Sequence, residues 1–590
     1  MASKAFLTAM TAFCLPFAAS GERSADVVVI GAGISGLSAA LEAANGGAQV
    51  LVVDQATAGG GHAILSNGAV CLVRTPLQAA QKIEDSPELA AKDFQTRGED
   101  ARPEWVSRYV RDSKVDLYDW LEGLGVRFEF LVRPPGNTVP RLHLVKGKGW
   151  GLVGPIFQEC LRHPRVRFLW AMRALDLVVT KGRVAGVRTL EVRTGKKRTI
   201  RSRNIIVATG GFGNNLSMVL RNWPAGEPKP QRLLLGSAHT ATGDGHEMAV
   251  RSGGILERMD HQWNYIMGLP DPRDSEGRRG LAAFNFNGIW VNQSGNRFTQ
   301  EFGDPKSGLA SLLRQPGGSY WTVFDEQGKR GFSITLAGWD NFRDVSKIVY
   351  ERDGVVLSAP SLNELAKKMQ VPEDALRRSV ERFNELTTKG VDEDFQAFGP
   401  RTTPKPKPIN TPPFYAARFF PITRKSMGGV KVDTECRVLN SAGNAIPGLF
   451  AVGEVTGFGG INGRAALEGT FLGPGMYMGR VAGRAVQAQG SAVSKAQIRP
   501  APQALARGEF ADSECAKCHV VAEDVAKERD GYWHYQQSHR KVLDRGYKCS
   551  QCHSDLHPYR KGSHRMDRLA QTLNCVTCHG VQRGSGGGEP

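Results

Sequence analysis

Three Cys-x-x-Cys-His pentads stand near the C-terminus: Cys515, Cys518 and His519 in the first, Cys549, Cys552 and His553 in the second, Cys575, Cys578 and His579 in the third. Two thiols one helical turn apart can each add to a haem vinyl group, and the adjacent histidine is then placed to ligate the iron. The spacing therefore predicts three covalently attached c-type haems, with His519, His553 and His579 as iron ligands. Zinc sites pair two Cys-x-x-Cys knuckles without requiring a histidine after each, so the repeated histidine favours haem. The surrounding segment offers His534, His539, His557 and His564 against one methionine, Met566, as further axial ligands. At least two of the haems are thus expected to be bis-histidine, and spacing does not select which histidines serve. Iron with both axial positions filled has no open site for substrate, so the expected role is electron relay.

A second chemistry stands at the other end. Asp26–Ile30 reads as a buried strand, Gly31-Ala32-Gly33-Ile34-Ser35-Gly36 follows at once, and Leu37–Ala44 reads as a helix. Glycines here let the backbone approach a pyrophosphate at the helix N-terminus, where unpaired amides favour negative charge. A second strand, Val50–Val53, ends in Asp54, placed to hold ribose hydroxyls. A second glycine match, Gly149–Gly154, lacks that context and runs into Pro155, so it is not read as a nicotinamide site. One site implies one dinucleotide. FAD fits better than NAD, because haems need a partner that splits an electron pair into single steps.

These features need elements to hold them, and 590 residues with 69 Gly and 41% hydrophobic content suit two to four globular domains. The formal charge is +18, yet from Leu505 onward there are 13 basic and 11 acidic residues, so most of the excess lies upstream. A basic body suits anionic substrates or an acidic redox partner, or is simply a solvated surface. No basic stretch is interleaved with aromatics as nucleic-acid binding would require. Lys4 and the apolar run Ala5–Ala19, ending in small residues, read as an export signal over residues 1–20. A periplasmic protein is expected, and no other run approaches the length of a membrane span. Outside the signal and the pentads only Cys71, Cys160 and Cys436 remain, which is no disulfide framework.

Three further segments, Asn204–Phe212, Thr242-Gly243-Asp244-Gly245 and Ile446–Gly457, give the chain from about Asp26 to Gln487 a clear likeness. It resembles the fumarate reductase/succinate dehydrogenase flavoprotein family, and the joined haem segment is similar to that family's soluble flavocytochrome c branch, where the haems precede the flavin domain rather than follow it. The resemblance implies an α/β fold: a Rossmann-like FAD-binding domain in two parts (24–250 and 419–486), an inserted α+β capping domain (251–418), a linker (487–505) and a small, mostly α or irregular triheme domain (506–590). It implies FAD contacts from Gly31, Gly33, Gly36, Asp54, Thr209, Gly210, Asp244 and Glu454. Gly473 would open a helix towards the flavin ring, and Gly60, Gly61, His62 and Gly68 would line it. His62 occupies the place where membrane-bound relatives attach FAD covalently, whereas soluble relatives usually hold it noncovalently.

Val291–Glu301 looks like the family's Val-Asn-x-x-Gly-x-Arg-Phe-x-x-Glu box. Beyond it the likeness departs. The place of the proton-donating arginine of fumarate reducers is Pro305, the relay positions fall on Leu281 and Phe284, and the substrate histidines fall on Lys425 and on Trp263-Asn264-Tyr265, with His261 admitted by a small alignment slip. Arg464 alone keeps its place in the carboxylate clamp. A site that has lost cations and gained Trp263, Tyr265, Phe284, Phe286 and Trp290 suits a bulkier alkene activated by one carboxylate or carbonyl. The expected function is an enoate or enone reductase fed by a periplasmic or membrane quinol-linked cytochrome, with Arg464 holding the activating oxygen and Tyr265, His261 and Lys425 as candidate proton donors. Two alternatives stand beside it: a dehydrogenase exporting electrons through the haems, and a non-catalytic electron conduit.

Overall fold

The computed structural model describes residues 24–490 apart from 57–58, 193, 273, 335–348, 352–353 and 400–405. The expected export signal lies outside the described residues. So do the expected haem-attachment cysteines Cys515, Cys518, Cys549, Cys552, Cys575 and Cys578, the expected iron ligands His519, His553 and His579, and the further candidates His534, His539, His557 and His564.

Unalternating runs of valine and isoleucine are buried on both faces, as parallel strands between helix layers must be. Val27, Val28, Val29 and Ile30 are at most 4% exposed. They belong to Ser24–Ile30, the middle of a parallel array in the order Ala445–Ala451, Lys197–Val207, Ser24–Ile30, Val50–Val53, Val166–Leu169. Arg437–Leu439 joins one edge antiparallel, and Met172–Thr180 and Arg183–Glu191 extend the sheet from Lys197–Val207. Against it the first helix, Ile34–Asn45, and the last, Leu472–Gly490, run side by side in the same direction. Gly479 and Gly483 permit their contact: a Cβ at Gly479 would lie 2.4 Å from the Ser35 carbonyl oxygen, and one at Gly483 2.6 Å from the Glu42 Cβ.

Between these halves lies an antiparallel sheet of seven strands among the described residues. Its central strand, Phe414–Ser426, pairs with Tyr320–Asp325, Val356–Ala359 and Gln262–Pro270, and the last of these continues to Gly280–Asn285. The expected border at 418/419 therefore falls inside one continuous strand. Leu256 and Glu257 still pair with Val430 and Gly429 of the body, so the cap sheet starts at Gln262 rather than at 251.

The Val291–Glu301 box is a structural staple. Arg297 makes two hydrogen bonds to Glu301, at 2.9 and 2.6 Å, and another to Asp392 at 2.8 Å, with all three side chains at most 5% exposed. These carboxylates hold the guanidinium pKa up against the opposing effect of burial. Cys71, Cys160 and Cys436 are buried free thiols. Among the described residues no helix is long and apolar enough to cross a membrane.

Candidate active site

A groove of about 300 Å³ opens where Ser24–Ile30 turns into the first helix. Gly31 makes that turn at φ +111°, and a Cβ there would lie 2.3 Å from the Ala208 carbonyl oxygen, so only glycine fits. Gly33 caps the helix without a side-chain bond, no acidic residue stands in its first turn, and its open side faces the groove. The first-turn amides are thus left to an anion.

Of the residues expected to hold FAD, Gly31, Gly33, Asp54, Gly61, His62, Thr209, Gly210, Asp244 and Glu454 line the groove, and Leu472 closes it in place of Gly473. Gly36, Gly60, Gly68 and Gly473 sit behind this lining; a Cβ at Gly473 would strike the Tyr109 hydroxyl. Asp54 accepts from the Ala32 amide at 2.7 Å and the Ala56 amide at 2.8 Å, which fixes its carboxylate at the strand end. Burial raises its pKa, with those two bonds opposing. Glu454, likewise raised by burial, accepts from the Ser426 amide at 3.0 Å. His62 is held neutral, its pKa lowered by burial and then by Arg424, Lys425 and Arg279. Two polar atoms of lining residues, Thr209 Oγ1 and Arg424 Nε, are buried without a partner among the described residues. Glycine-lined walls, uncapped amides and orphaned donors fit a dinucleotide with a flavin ring.

At the Leu472 end the groove meets a second cavity of about 200 Å³ between cap and body. Trp263, Tyr265, Trp290, Phe302 and Pro305 of the cap face Arg97, Ala466 and Glu468 of the body. Tyr265 and Glu468 line both spaces. Of the five expected aromatics, Trp263, Tyr265 and Trp290 line this cavity, whereas Phe284 and Phe286 stand behind Phe302, with Phe286 4.7 Å from it between ring centroids and largely exposed. Phe302 was not singled out from the sequence, although it directly follows the box's Glu301. Pro305 occupies the first turn of Pro305–Leu313, flanked by Asp304, which pairs with Arg97, and Lys306, which pairs with Glu99. The place expected of an arginine is thus a cap-to-body tie. Leu281 is core, 1% exposed.

Lys425 and Trp263 are register partners on neighbouring strands. The Lys425 ammonium lies 4.1 Å from the Phe471 ring centroid and donates to the Tyr265 hydroxyl oxygen at 3.4 Å. Burial pushes it down to about 8. The Tyr265 hydroxyl in turn donates to Glu468 at 3.1 Å, and burial together with that carboxylate raises its pKa well above the usual value.

Arg464 and His261 do not join this constellation. His261 is clamped between Asp260 and Asp100, at 2.9 Å each, and Arg464, half-exposed, donates to Asp260 at 2.9 Å. Asp100 and Asp260 hold both side chains at the seam between cap and body, outside the lining of either cavity. Against the upward push of burial, bonds from His261 and Arg464 keep the Asp260 carboxyl below its usual range. Glu468 and Arg97 were missed from the sequence: both reach the cavity only through packing between distant segments, which no local spacing announces.

Residues 26–472 match the FAD binding domain family. The chain belongs to that family. It is 30% identical to a "Fumarate reductase (cytochrome)" of Shewanella frigidimarina over 79% of this chain and 77% of that protein. A KsdD-like steroid dehydrogenase of Mycobacterium tuberculosis is 29% identical over 78% of this chain and 95% of its own. Among solved structures, the open conformation of a flavocytochrome c3 fumarate reductase superposes with TM-score 0.65 at 27% identity, covering 80% of this chain and 79% of that one. This FAD-binding family member is an FAD-dependent oxidoreductase acting on CH–CH bonds. The non-catalytic reading falls with that assignment. The residues that would hold FAD in the groove are the lining set named above, headed by the Gly31–Gly33 turn and Asp54.

Proposed function

We propose that this enzyme reduces the activated double bond of a bulky, mostly apolar alkene, and that electrons reach its FAD through three c-type haems held by residues 506–590 in the periplasm. The observation that carries the substrate reading is the aromatic cavity beside the groove, whose wall presents Tyr265 and Glu468 while Pro305 stands where a fumarate reducer has its arginine. Bound FAD supplies hydride transfer to or from carbon.

The chain's own residues supply the rest. Trp263, Trp290 and Phe302 bury an apolar ring or chain. Arg97 is paired with Asp304, and Glu468 is an acidic side chain rather than a cation, so the cavity is poorly suited to a dicarboxylate. Arg424 and Lys425 put positive charge at the groove's end, where one carbonyl or carboxylate oxygen would gain charge during reduction. Tyr265 faces both spaces and acts as proton donor to the α-carbon, with the Lys425 ammonium at its oxygen. The cap keeps water from the exchange.

The pentads and the likeness to a cytochrome-type fumarate reductase support the haem path and a quinol-linked cytochrome as donor. The export-signal pattern supports the periplasm. The test is optical and anaerobic. Fully reduced holoprotein mixed with bulky enoates and enones should show rapid reoxidation of the haem bands, with fumarate slower. No reoxidation by any bulky alkene would overturn the reading.

The reverse reaction is the second reading, favoured by the likeness to a KsdD-like steroid dehydrogenase over most of both chains. In that direction saturated ketones would reduce the oxidised protein.

A further inference from the structure

The wall between groove and cavity holds an ionisable group that neither the family box nor the clamp positions account for. Glu468 comes from the body, just before Leu472–Gly490, whereas Tyr265 and Lys425 come from strands of the cap sheet. Its position is set by its neighbours: Leu467 is buried, and the Gly469 carbonyl accepts from the Cys71 amide at 3.0 Å. Its Oε1 accepts from the Tyr265 hydroxyl at 3.1 Å and from the Trp263 indole at 3.4 Å. The three polar groups form one directed chain, Lys425 to Tyr265 to Glu468.

A phenol that gives its proton to carbon here is left as a buried anion unless another proton reaches its oxygen. Burial already holds Tyr265 well above its ordinary pKa, and an ionised Glu468 adds to that. Donation to carbon is therefore workable only if a proton replaces the one lost in the same event. Lys425 lines the groove alone, whereas Glu468 lines both spaces and brings both carboxyl oxygens to the Tyr265 oxygen, at 3.1 and 3.4 Å, so that its protonated form can donate to it.

We propose that Glu468 is the proton reservoir of Tyr265, completing a relay that exists only when the cap is seated on the body. In reduction, FAD once bound would supply hydride to the β-carbon of the alkene. The Tyr265 hydroxyl gives its proton to the α-carbon, and the Glu468 carboxylic acid gives its proton to the Tyr265 oxygen. The resulting Glu468 carboxylate regains a proton from water. In the oxidising direction each proton moves the opposite way, and Glu468 must start ionised. Lys425 is a positioning residue that holds the Tyr265 oxygen, and Arg424, with its guanidinium carbon 5.8 Å from the Tyr265 ring centroid, and Arg97 are the other cations facing the relay.

This rests on Tyr265 being the donor, and the test separates the two. Glu468→Gln, Glu468→Asp and Tyr265→Phe are made in the full holoprotein, each checked for FAD content and melting temperature. For Glu468→Gln, kcat should fall roughly 100-fold with KM within a few-fold, since relayed proton transfer contributes about 10²–10⁴. The solvent isotope effect on kcat should change as well, and Glu468→Asp should bring it back towards that of the unaltered enzyme with part of the rate. Independently of turnover, ultraviolet difference titration against Tyr265→Phe should show the Tyr265 phenol ionising at lower pH once the carboxylate is gone. An inactive Tyr265→Phe beside a Glu468→Gln with kcat within about twofold and an unchanged solvent isotope effect overturns the relay. Full activity in Tyr265→Phe overturns the donor reading beneath it. If Glu468→Gln does not fold, Glu468→Asp decides alone: a kcat equal to that of the unaltered enzyme overturns the proposal.

Discussion

Tyr265→Phe keeps the ring that packs against the cluster of Trp263, Phe458 and Phe471 but removes the proton, so FAD content should be unchanged while turnover falls at least about 100-fold. Lys425→Met should erase an activity limb near pH 8. The sign follows from the depressed pKa of about 8: the ammonium is present below it and lost as pH rises through it, so activity that needs the charge declines above about pH 8 in the native enzyme and loses that decline in the variant. Arg464→Met should leave turnover within a few-fold, because a half-exposed arginine paired with Asp260 contributes roughly 0–1 kcal/mol and touches neither cavity. Steady-state kinetics on the same enoate checks all three. Tyr265 and Lys425 were legible because their places could be counted from motifs. Arg464 kept its place by the same count, yet Asp100 and Asp260, brought from elsewhere in the chain, decide where its charge points.

At the scale of elements, Gly31–Gly36 between a strand and a helix was enough to place the groove, since turn, amides and helix are set by neighbours in sequence. The cap was legible as an insertion but not in its edges: Phe414–Ser426 runs through the expected border because a central strand needs partners on both sides. The cavity's aromatics could be named singly, whereas Phe302, Arg97 and Glu468 enter through packing of one element on another. Asp304 does two things there, accepting from the Ser307 amide at 2.9 Å as a helix cap and holding Arg97. Asp304→Ala should weaken the helix start by about 1 kcal/mol. It should also release the Arg97 guanidinium into the cavity, raising kcat/KM for enoates relative to matched enones several-fold. Competition between the two substrates in one cuvette reads that ratio directly.

Across the whole molecule, the last helix starts at the groove and runs away from it. Nineteen residues carry the chain about 28 Å from the Leu472 end before the linker begins. A haem segment that feeds the flavin must therefore return that distance, and the roughly 15 residues from 491 to 505 reach up to about 50 Å when extended. Removing about ten of them leaves a reach of roughly 17 Å. Stopped-flow traces of that variant should show slow haem-to-flavin transfer with haem and flavin contents intact. Outside the expected export signal, cysteine falls into two sets: Cys71, Cys160 and Cys436 in the body and six in the pentads. Burial pushes the Cys71 thiol up to about 12 and those of Cys160 and Cys436 higher still, so none offers a thiolate at neutral pH. If the pentads carry haem as proposed, a body folded before attachment keeps Cys71, Cys160 and Cys436 buried and leaves the six pentad cysteines as the targets. Alkylation of native protein lacking haem and export signal should accordingly modify six cysteines and spare three, making the fold itself the guard against misdirected attachment.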